Sequence, residues 1–220
     1  MSAFNVAKFG GTSVANFEAM SRCAAIIENN PNTKLVVSSA CSGVTNLLVE
    51  LAHGVQDQEH RAHLLQQLAA IHDAILSQLS QPTEVASEVY SLLDTITSLA
   101  EAASIQATPK LTDHLVACGE LMSTHILAQL MRERGIRAVR FDIRDVLRTD
   151  SHYGRAEPDV ATIAALAKTH LVPLCAEHVV VTQGFIGADQ DGNTTTLGRG
   201  GSDYSAALIA EAVAAEGLEI

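Results

Sequence analysis

The sequence predicts an α/β fold, a three-layer αβα sandwich with a mostly parallel sheet and a helical insertion. Four short apolar runs, at residues 5–9, 34–40, 137–142 and 178–184, alternate with segments of helical periodicity. The second and fourth runs, K-L-V-V-S-S-A and H-V-V-V-T-Q-G, are continuously apolar over their first halves rather than alternating. That pattern is typical of parallel strands that are covered on both faces.

Five amphipathic segments between and after these runs are predicted to form helices. The first has Phe17, Met20, Ala24 and Ile27 on one face, and the second runs from Val44 past Leu51. The third spans residues 112–134, with Leu115, Cys118, Met122 and Ile126 on one stripe. The fourth has Pro158 near its first turn, followed by Val160, Ile163, Ala164 and Leu166, and the fifth follows Ser202 and ends at Gly217. Gly135 is predicted to cap the third helix, because glycine adopts the left-handed conformation that often ends helices.

Residues 58–108 interrupt the alternation of strands and helices. They are rich in Leu, Gln, Ala and Ser and contain one break, at Gln81-Pro82. We interpret them as a helical excursion from the sheet, although a separate small subdomain fits the same pattern. The last residues, L-E-I after Gly217, look like the start of a further strand, so the sequence is expected to stop inside a fold.

Composition narrows the class of protein. Hydrophobic residues make up 47% and charged residues 18% of the chain, which is ordinary for a globular protein. The net charge of -11 argues against a general nucleic-acid or anionic-membrane surface. The four cysteines form no C-x-x-C pair, and we expect no secretory leader. The prediction is a cytoplasmic protein with reduced, buried thiols, no membrane-length apolar run and no protein-held metal site.

The segment K-F-G-G-T-S, residues 8–13, ends the first predicted strand. Gly10 and Gly11 allow the backbone to approach a bulky anion, and Lys8 supplies positive charge at the same edge of the sheet. This arrangement predicts a phosphate cradle. It is not a P-loop, because the lysine precedes the glycines. A tight turn beside a surface lysine explains this one motif equally well.

Two further stretches combine a predicted strand end with a helix start. In S-S-A-C-S-G-V-T-N, residues 38–46, the hydroxyls of Ser39, Ser42 and Thr45 are candidate ligands, although each taken singly fits a helix cap better. In T-T-T-L-G-R-G-G-S-D, residues 194–203, Ser202 is a candidate cap and Asp203 is well placed against the helix dipole.

Arg199 lies among glycines in that last stretch, and a guanidinium there suits bidentate capture of a carboxylate or phosphate. The alternative is a solvated linker. Glu120, in the run C-G-E-L-M-S on the third predicted helix, is a candidate partner for a substrate ammonium. A structural ion pair explains Glu120 as well. Gly119 beside it indicates a close backbone or ligand approach, because glycine inside a helix costs about 1 kcal/mol relative to alanine.

Taken together, these stretches resemble the amino-acid kinase family, and within it the lysine-sensitive aspartokinases. The resemblance rests on K-F-G-G-T-S, S-x-x-S-G-V-T-N-L-L, G-E-L-M-S, G-R-A-E-P-D, Q-G-F-I-G and T-T-T-L-G-R-G-G-S-D, all in order along nearly the whole chain. It implies phosphoryl transfer from ATP, with Mg²⁺ held through the phosphates, to the β-carboxylate of L-aspartate. It also implies a homodimer for the full-length enzyme.

The resemblance assigns roles to individual residues. Lys8 and Asp203 would be catalytic, with Asp203 holding Lys8 through an ion pair. Phosphate would be bound at Lys8, Gly10, Gly11, Thr12 and Ser13. The substrate would be bound by Ser39, Thr45, Glu120, Phe185, Gly187, Arg199, Gly200, Gly201 and Ser202, with Arg199 on a carboxylate and Glu120 on the ammonium.

The family pattern continues beyond this sequence, with a segment for the nucleotide base and with regulatory domains. An inactive fragment is therefore one expectation for the 220 residues, and a non-catalytic aspartate-binding fragment is the first alternative. Another amino-acid kinase, acting on glutamate, acetylglutamate or a nucleotide, is the second. A dinucleotide-dependent oxidoreductase is a poor third, because G-x-G-x-x-G is missing after the first strand.

Overall fold

The computed structural model describes residues 4–198 and 200–220. Their helices and strands follow one another as β1 (Asn5–Phe9), α1 (Phe17–Glu28), β2 (Thr33–Ser38), α2 (Val44–Ala52), α3 (Gln58–Leu76), α4 (Thr83–Ile105), α5 (Pro109–Glu133), β3 (Ala138–Arg140), α6 (Val160–Glu177), β4 (Val179–Gln183), β5 (Ile186–Ala188), β6 (Thr194–Thr196), α7 (Gly201–Ala212) and β7 (Gly217–Glu219). A short 3₁₀ turn, Ile143–Asp145, follows β3.

Five parallel strands form the central sheet in the order β3-β4-β2-β1-β7. In this register Phe9 at the end of β1 is level with Ser38 at the end of β2, and Ser38 is level with Gln183 at the end of β4. The loops that follow these three strands therefore leave the sheet at one edge. This edge is where ligands bind in open parallel sheets, and it carries three of the predicted motifs.

Helices cover both faces of the sheet, which confirms the predicted α/β class. Alternate residues of β2 show the two faces: Val36 belongs to an apolar cluster with α1, α2 and α5, whereas Leu35 and Val37 belong to a second cluster with α6 and α7. Both clusters are built from aliphatic side chains at helical and strand spacing, as the periodicity indicated.

The insertion folds as α3 and α4, and the chain breaks between them near Pro82 as predicted. Leu64, Leu68, Val89 and Ile96 from these helices are buried in the same apolar cluster as Val36 of the sheet. The two helices therefore extend the α2–α5 side of the molecule, since they share its core. At the turn between them, the Glu133 carboxylate of α5 accepts hydrogen bonds from the amides of residues 80 and 81.

Several predicted bounds are wrong. The last helix begins at Gly201 and ends at Ala212, and Gly217 opens strand β7 rather than capping a helix. Pro158 lies directly before Asp159, the N-cap of α6, and so near the first turn as predicted. Of the apolar residues that follow it, Val160 and Ala164 are exposed. Tertiary packing selects Ile163, Ala167, Leu171 and Cys175 instead.

A hairpin formed by β5 and β6 was not predicted. These antiparallel strands pair Ile186 with Thr196 and Ala188 with Thr194. Each strand has only three residues, and T-T-T carries no alternation of apolar and polar side chains. A run this short has no detectable period, so its assignment depends on the partner strand.

Helix α6 also corrects the expectation that no apolar run reaches membrane-spanning length. Its 18 residues have a mean hydropathy of 1.2, so by length and composition alone it is long and apolar enough to cross a membrane. Four of its apolar side chains are nevertheless buried against the sheet, and packing on the core accounts for their character. The four cysteines are buried and unpaired, as expected.

Candidate active site

Two cavities flank the Gly10–Gly11 pair at the carboxyl edge of the sheet. The first, of about 500 Å³, lies between the β2–α2 loop, α5 and the start of α7, and Gly11 lines it. The second, of about 610 Å³, is lined by Gly10 and Lys8 together with Arg22 of α1. The turn after β1 therefore separates two spaces, each of which has the size of a small-ligand site.

The Lys8 ammonium and the Asp203 carboxylate form an ion pair at the sheet edge, with 2.5 Å between Nζ and Oδ1. Lys8 is held by strand β1 and its side chain is only 8% exposed, whereas the Asp203 side chain in the first turn of α7 is 57% exposed. The pair joins two motifs that lie 195 positions apart in the chain. The predicted proximity of these two residues is therefore observed.

The turn after Lys8 leaves backbone donors available. Within residues 4–198 and 200–220, the amides of Gly10, Gly11 and Thr12 donate no hydrogen bond to protein, whereas the Ser13 amide donates to the Gly10 carbonyl. A side chain at Gly10 would meet only the Lys8 ammonium, at 3.5 Å. At Gly11 the Cβ would lie 3.0 Å from the Ala40 carbonyl oxygen. Gly10 thus leaves room for a ligand, while Gly11 allows two loops to touch.

Glu120 projects from α5 into the first cavity. Its Oε1 accepts a hydrogen bond from the Ala40 amide at 3.3 Å, while its buried Oε2 has no partner among the described residues. Burial raises the pKa of this carboxyl group to about 8. A buried carboxylate oxygen without a donor is costly, and it is the kind of group that a ligand cation would satisfy.

Gly119 explains how α5 approaches the β2–α2 loop. A Cβ at this position would lie 2.8 Å from the Ala40 Cβ, 3.1 Å from Leu48 and 3.2 Å from Val44. The sequence predicted a close backbone or ligand approach at Gly119, and in the structure the group that approaches it is protein, namely the β2–α2 loop and α2. This approach brings the Ala40 amide within reach of Glu120, and the Ser123 hydroxyl donates to the Ser39 carbonyl at 2.7 Å in the same contact.

Replacing Gly119 with alanine is expected to lower the free energy of unfolding. Overpacking costs about 1–3 kcal/mol, and the gain of about 1 kcal/mol in helix propensity offsets only part of it. Urea unfolding measures the difference. The double variant Gly119→Ala with Ala40→Gly removes the nearest clashing methyl group and is expected to recover part of the loss relative to Ala40→Gly alone. A Gly119→Ala protein that is more stable than the wild type would contradict this explanation.

Phe185 lines the first cavity in a left-handed backbone conformation, with φ of 72°. Such a conformation is strained for an aromatic residue. The Ser205 hydroxyl of α7 accepts a hydrogen bond from the Phe185 amide and donates to the Ser202 carbonyl. The ring fills the space over Gly201, where a Cβ would lie only 2.9 Å from it.

The remaining predicted residues divide into four groups by where they lie. Ser39, Thr45, Gly200, Gly201 and Ser202 line the first cavity, whereas Thr12 and Ser13 line the second. Gly187 lies outside both linings, and its missing side chain makes room for the Leu147 carbonyl instead. The prediction that Ser202 caps α7 is wrong, because Gly200 is the N-cap and makes no side-chain bond. Arg199 lies outside the described residues.

The chemistry available in the first cavity is not that of a thiol nucleophile. Cys41 lines this cavity, but burial raises the pKa of its thiol to about 12. Residues 4–198 and 200–220 contain no group of three or more His, Cys, Asp or Glu side chains that could hold a metal ion.

Sequence reasoning did not single out Asp113, Ser205 or Arg22 among the residues near these cavities. Asp113 is a buried carboxylate on the same helix as Glu120, and Ser205 is a fully buried hydroxyl. Their signal in the sequence is weak, because a single polar residue on an apolar helix face is not informative until its partners are known.

The carboxyl edge of the parallel sheet therefore carries a cation, backbone amides with no protein acceptor among the described residues, and a buried carboxyl group, an arrangement suited to binding an anion such as phosphate. The chain belongs to the amino acid kinase family, whose sequence profile matches residues 3–220. Over all 220 residues it is 51% identical to lysine-sensitive aspartokinase 3 of Escherichia coli K12, and it covers 49% of that protein. It is 33% identical to the aspartokinase of Chlamydia muridarum, with 98% of this chain and 47% of that protein covered.

Solved structures agree. The crystal structure of E. coli aspartokinase III in complex with lysine and aspartate matches with a TM-score of 0.97, covering 99% of this chain and 48% of that one. The complex of the same enzyme with aspartate and ADP matches with a TM-score of 0.96 over 98% of this chain and 48% of that one. Sequence identity is 51% in both. The chain spans about half the length of the relatives it matches.

Proposed function

We propose that these residues form the aspartate- and phosphate-binding part of an aspartate kinase, which transfers the γ-phosphoryl group of ATP to the β-carboxylate of L-aspartate. The observation that carries the proposal is the Lys8–Asp203 ion pair beside a cavity that Glu120 lines, since the buried Oε2 of Glu120 has no hydrogen-bond partner among the described residues. The similarity to an aspartokinase solved with aspartate and ADP supports it.

Phosphoryl transfer to a carboxylate requires positioning and charge neutralisation rather than a general base, because the attacking oxygen is already ionised. Glu120 binds the ammonium of the amino acid in the first cavity, and Arg199 binds its α-carboxylate. The hydroxyls of Ser39, Thr45 and Ser202 line the rest. The β-carboxylate then faces the turn at Gly10–Gly11.

On the other side of that turn, the amides of Gly10 and Gly11 and the hydroxyls of Thr12 and Ser13 bind phosphate oxygens. Lys8 neutralises the charge that accumulates on the transferring phosphoryl group. Asp203 orients the Lys8 ammonium, since its Oδ1 is already in contact with the Lys8 Nζ. Mg²⁺ accompanies ATP and is held through its phosphates. The enzyme acts in the cytoplasm as a homodimer.

The proposal is tested by a hydroxamate assay on the natural gene product that contains these residues. With ATP and Mg²⁺, hydroxylamine traps an acyl phosphate, and we expect trapping with L-aspartate but not with L-glutamate or N-acetyl-L-glutamate. N-acetyl-L-aspartate is the matched control, because it keeps both carboxylates and lacks the ammonium that pairs with Glu120. Equal trapping with the acetylated substrates would contradict the proposal.

A second candidate is amino-acid binding without phosphoryl transfer by the 220 residues themselves. It is favoured by the chain's covering only about half of its relatives. Calorimetry on the 220-residue chain distinguishes the two. Heat from L-aspartate with none from ATP indicates binding alone, whereas heat from both ligands supports the complete reaction.

A further inference from the structure

Asp113 is the second carboxylate that α5 presents to the first cavity. It precedes Glu120 by seven residues, which is two helical turns, so the two side chains lie on the same face of the helix. Asp113 is 1% exposed. Unlike Glu120, it has protein donors on both of its oxygens.

Three hydrogen bonds hold the Asp113 carboxylate between two other segments. Its Oδ2 accepts from the amides of Gly154 and Thr196, each at 2.9 Å, and its Oδ1 accepts from the Thr196 hydroxyl at 2.8 Å. Burial raises the pKa of the carboxyl group, and these bonds oppose the rise because they favour the ionised form.

The bonded segments form one wall of the first cavity. Thr196 ends β6, its carbonyl accepts from the Ala156 amide, and the next amide, that of Leu197, donates to the Phe185 carbonyl. The chain then continues through Gly198 to Gly200 and into α7, where Asp203 meets Lys8. Gly154 lies against this wall, because a Cβ at Gly198 would be 3.1 Å from the Gly154 carbonyl oxygen.

The bond pattern is more specific than apolar packing. A carboxylate that accepts two amides and a hydroxyl fixes the direction as well as the distance of its partners. Burying that charge is costly, and an apolar contact between α5 and β6 would hold the two elements together without it. The three bonds therefore place the start of the 196–203 segment in one register relative to α5.

We propose that Asp113 is a positioning residue for substrate binding: it fixes the cavity wall at residues 196–198 and 200–203 against the same helix that presents Glu120. This inference rests on the proposed function, since it assigns those two parts of the site to one amino-acid substrate. Asp113 itself contacts no reacting atom. It sets the spacing between the group that binds the ammonium and the wall opposite.

The chain offers a conservative variant that preserves the geometry. In Asp113→Asn, the amide oxygen can take the place of Oδ2 and accept both backbone amides, while its NH₂ group donates to the Thr196 hydroxyl oxygen. Asp113→Ala leaves both amides without a partner. Thr196→Val removes one of the three bonds and keeps the backbone donors, so it is a milder test than Asp113→Ala. Asp94→Ala, at an exposed position on α4, is the matched control.

The first readout needs no ligand. Hydrogen–deuterium exchange followed by mass spectrometry compares residues 194–203 with residues 179–183 of β4 in the 220-residue chain. In Asp113→Ala we expect exchange in the first segment to be faster by about tenfold, the usual consequence of losing a buried hydrogen-bond partner. Exchange in β4 is expected to stay the same, and both segments are expected to behave as wild type in Asp113→Asn and Asp94→Ala.

The second readout is steady-state kinetics on the natural gene product. Asp113→Ala is expected to raise the KM for L-aspartate by about tenfold, with the KM for ATP unchanged. Thr196→Val is expected to raise the KM for L-aspartate by a smaller factor, and Asp113→Asn is expected to have the wild-type KM. A variant that only lowers the melting temperature, with both KM values intact, would overturn the inference. So would Asp113→Asn proteins that are as impaired as Asp113→Ala.

The two readouts also separate this inference from the proposed function. If the wild-type protein fails to phosphorylate L-aspartate, the proposed function is wrong, and the role in substrate binding is wrong with it. The exchange experiment on the free chain then still decides whether Asp113 holds the 196–203 segment. Wild-type activity with unchanged exchange in Asp113→Ala contradicts the positioning role alone.

Discussion

Replacing Lys8 with alanine is expected to lower turnover by about 10³-fold, because removing a preorganised donor for developing phosphoryl charge costs about 10²–10³ and cationic groups at such sites contribute up to about 10⁵. Lys8 is the cation that pairs with Asp203 at the turn of free amides. The loss is expected in kcat, since the charge that Lys8 meets grows during the transfer. Coupled assay of ADP release by the natural gene product measures it.

The control for this experiment is Lys168→Ala, at an exposed position on α6. It removes the same charge from the chain and is expected to leave turnover unchanged. Circular dichroism on Lys8→Ala is expected to show wild-type helix content, because α7 keeps its apolar contacts when Asp203 loses its partner. A Lys8→Ala enzyme with more than a tenth of wild-type kcat would exclude the proposed catalytic role.

Replacing Glu120 with glutamine is expected to weaken L-aspartate binding by about 10²-fold, since truncating one partner of a buried charge pair costs a few kcal/mol. The glutamine has the same shape and still accepts the Ala40 amide, so the cavity is preserved. Calorimetry measures the loss, and Glu101→Gln on α4 is the control, because that carboxylate is exposed. Equal affinity in Glu120→Gln and wild type would show that the ammonium binds elsewhere.

The same variant is expected to change how stability depends on pH. The pKa of Glu120 is about 8 in the folded chain, against an ordinary value of 4.5. Between these pH values the folded state keeps a proton that the unfolded state releases, so wild-type stability falls as pH rises, by up to about 1.4 kcal/mol per unit. Glutamine carries no such proton, and Glu120→Gln is expected to become the more stable protein as pH approaches 8.

Local patterns predicted much of the fold. The four short apolar runs became β1 to β4, and those of β2 and β4 are apolar over consecutive residues. The helix stripes have a period that can be recognised within one segment. The stripe Leu115, Cys118, Met122 and Ile126 is buried as expected. Bounds were less accurate: the last helix ends at Ala212 instead of Gly217, because helix ends depend on packing and capping as well as on periodicity.

The residues of the candidate site also divide into those that a short motif identifies and those that only the fold identifies. Lys8, the two glycines and Asp203 were singled out from short motifs that combine a strand end or helix start with a chemistry-bearing residue, and the structure brings Lys8 and Asp203 together. The close packing of Gly187 against the Leu147 carbonyl group was not predicted. The partners of Asp113, which lie 41 and 83 positions away, and the Phe185 amide that donates to Ser205 from 20 positions away, were not predicted either.

By itself, the sequence determined the class of fold, the order of the motifs and the residue types that could meet a phosphate. Hydrophobic period and backbone preference act between near neighbours, and both can be recognised without knowing where the chain goes next. Only the tertiary structure decided that, among the described residues, one carboxylate oxygen of Glu120 has a donor and the other has none, whereas Asp113 has donors on both. The difference depends on which distant backbone amides are brought to a buried oxygen, and that is a property of the packed chain rather than of any segment of it.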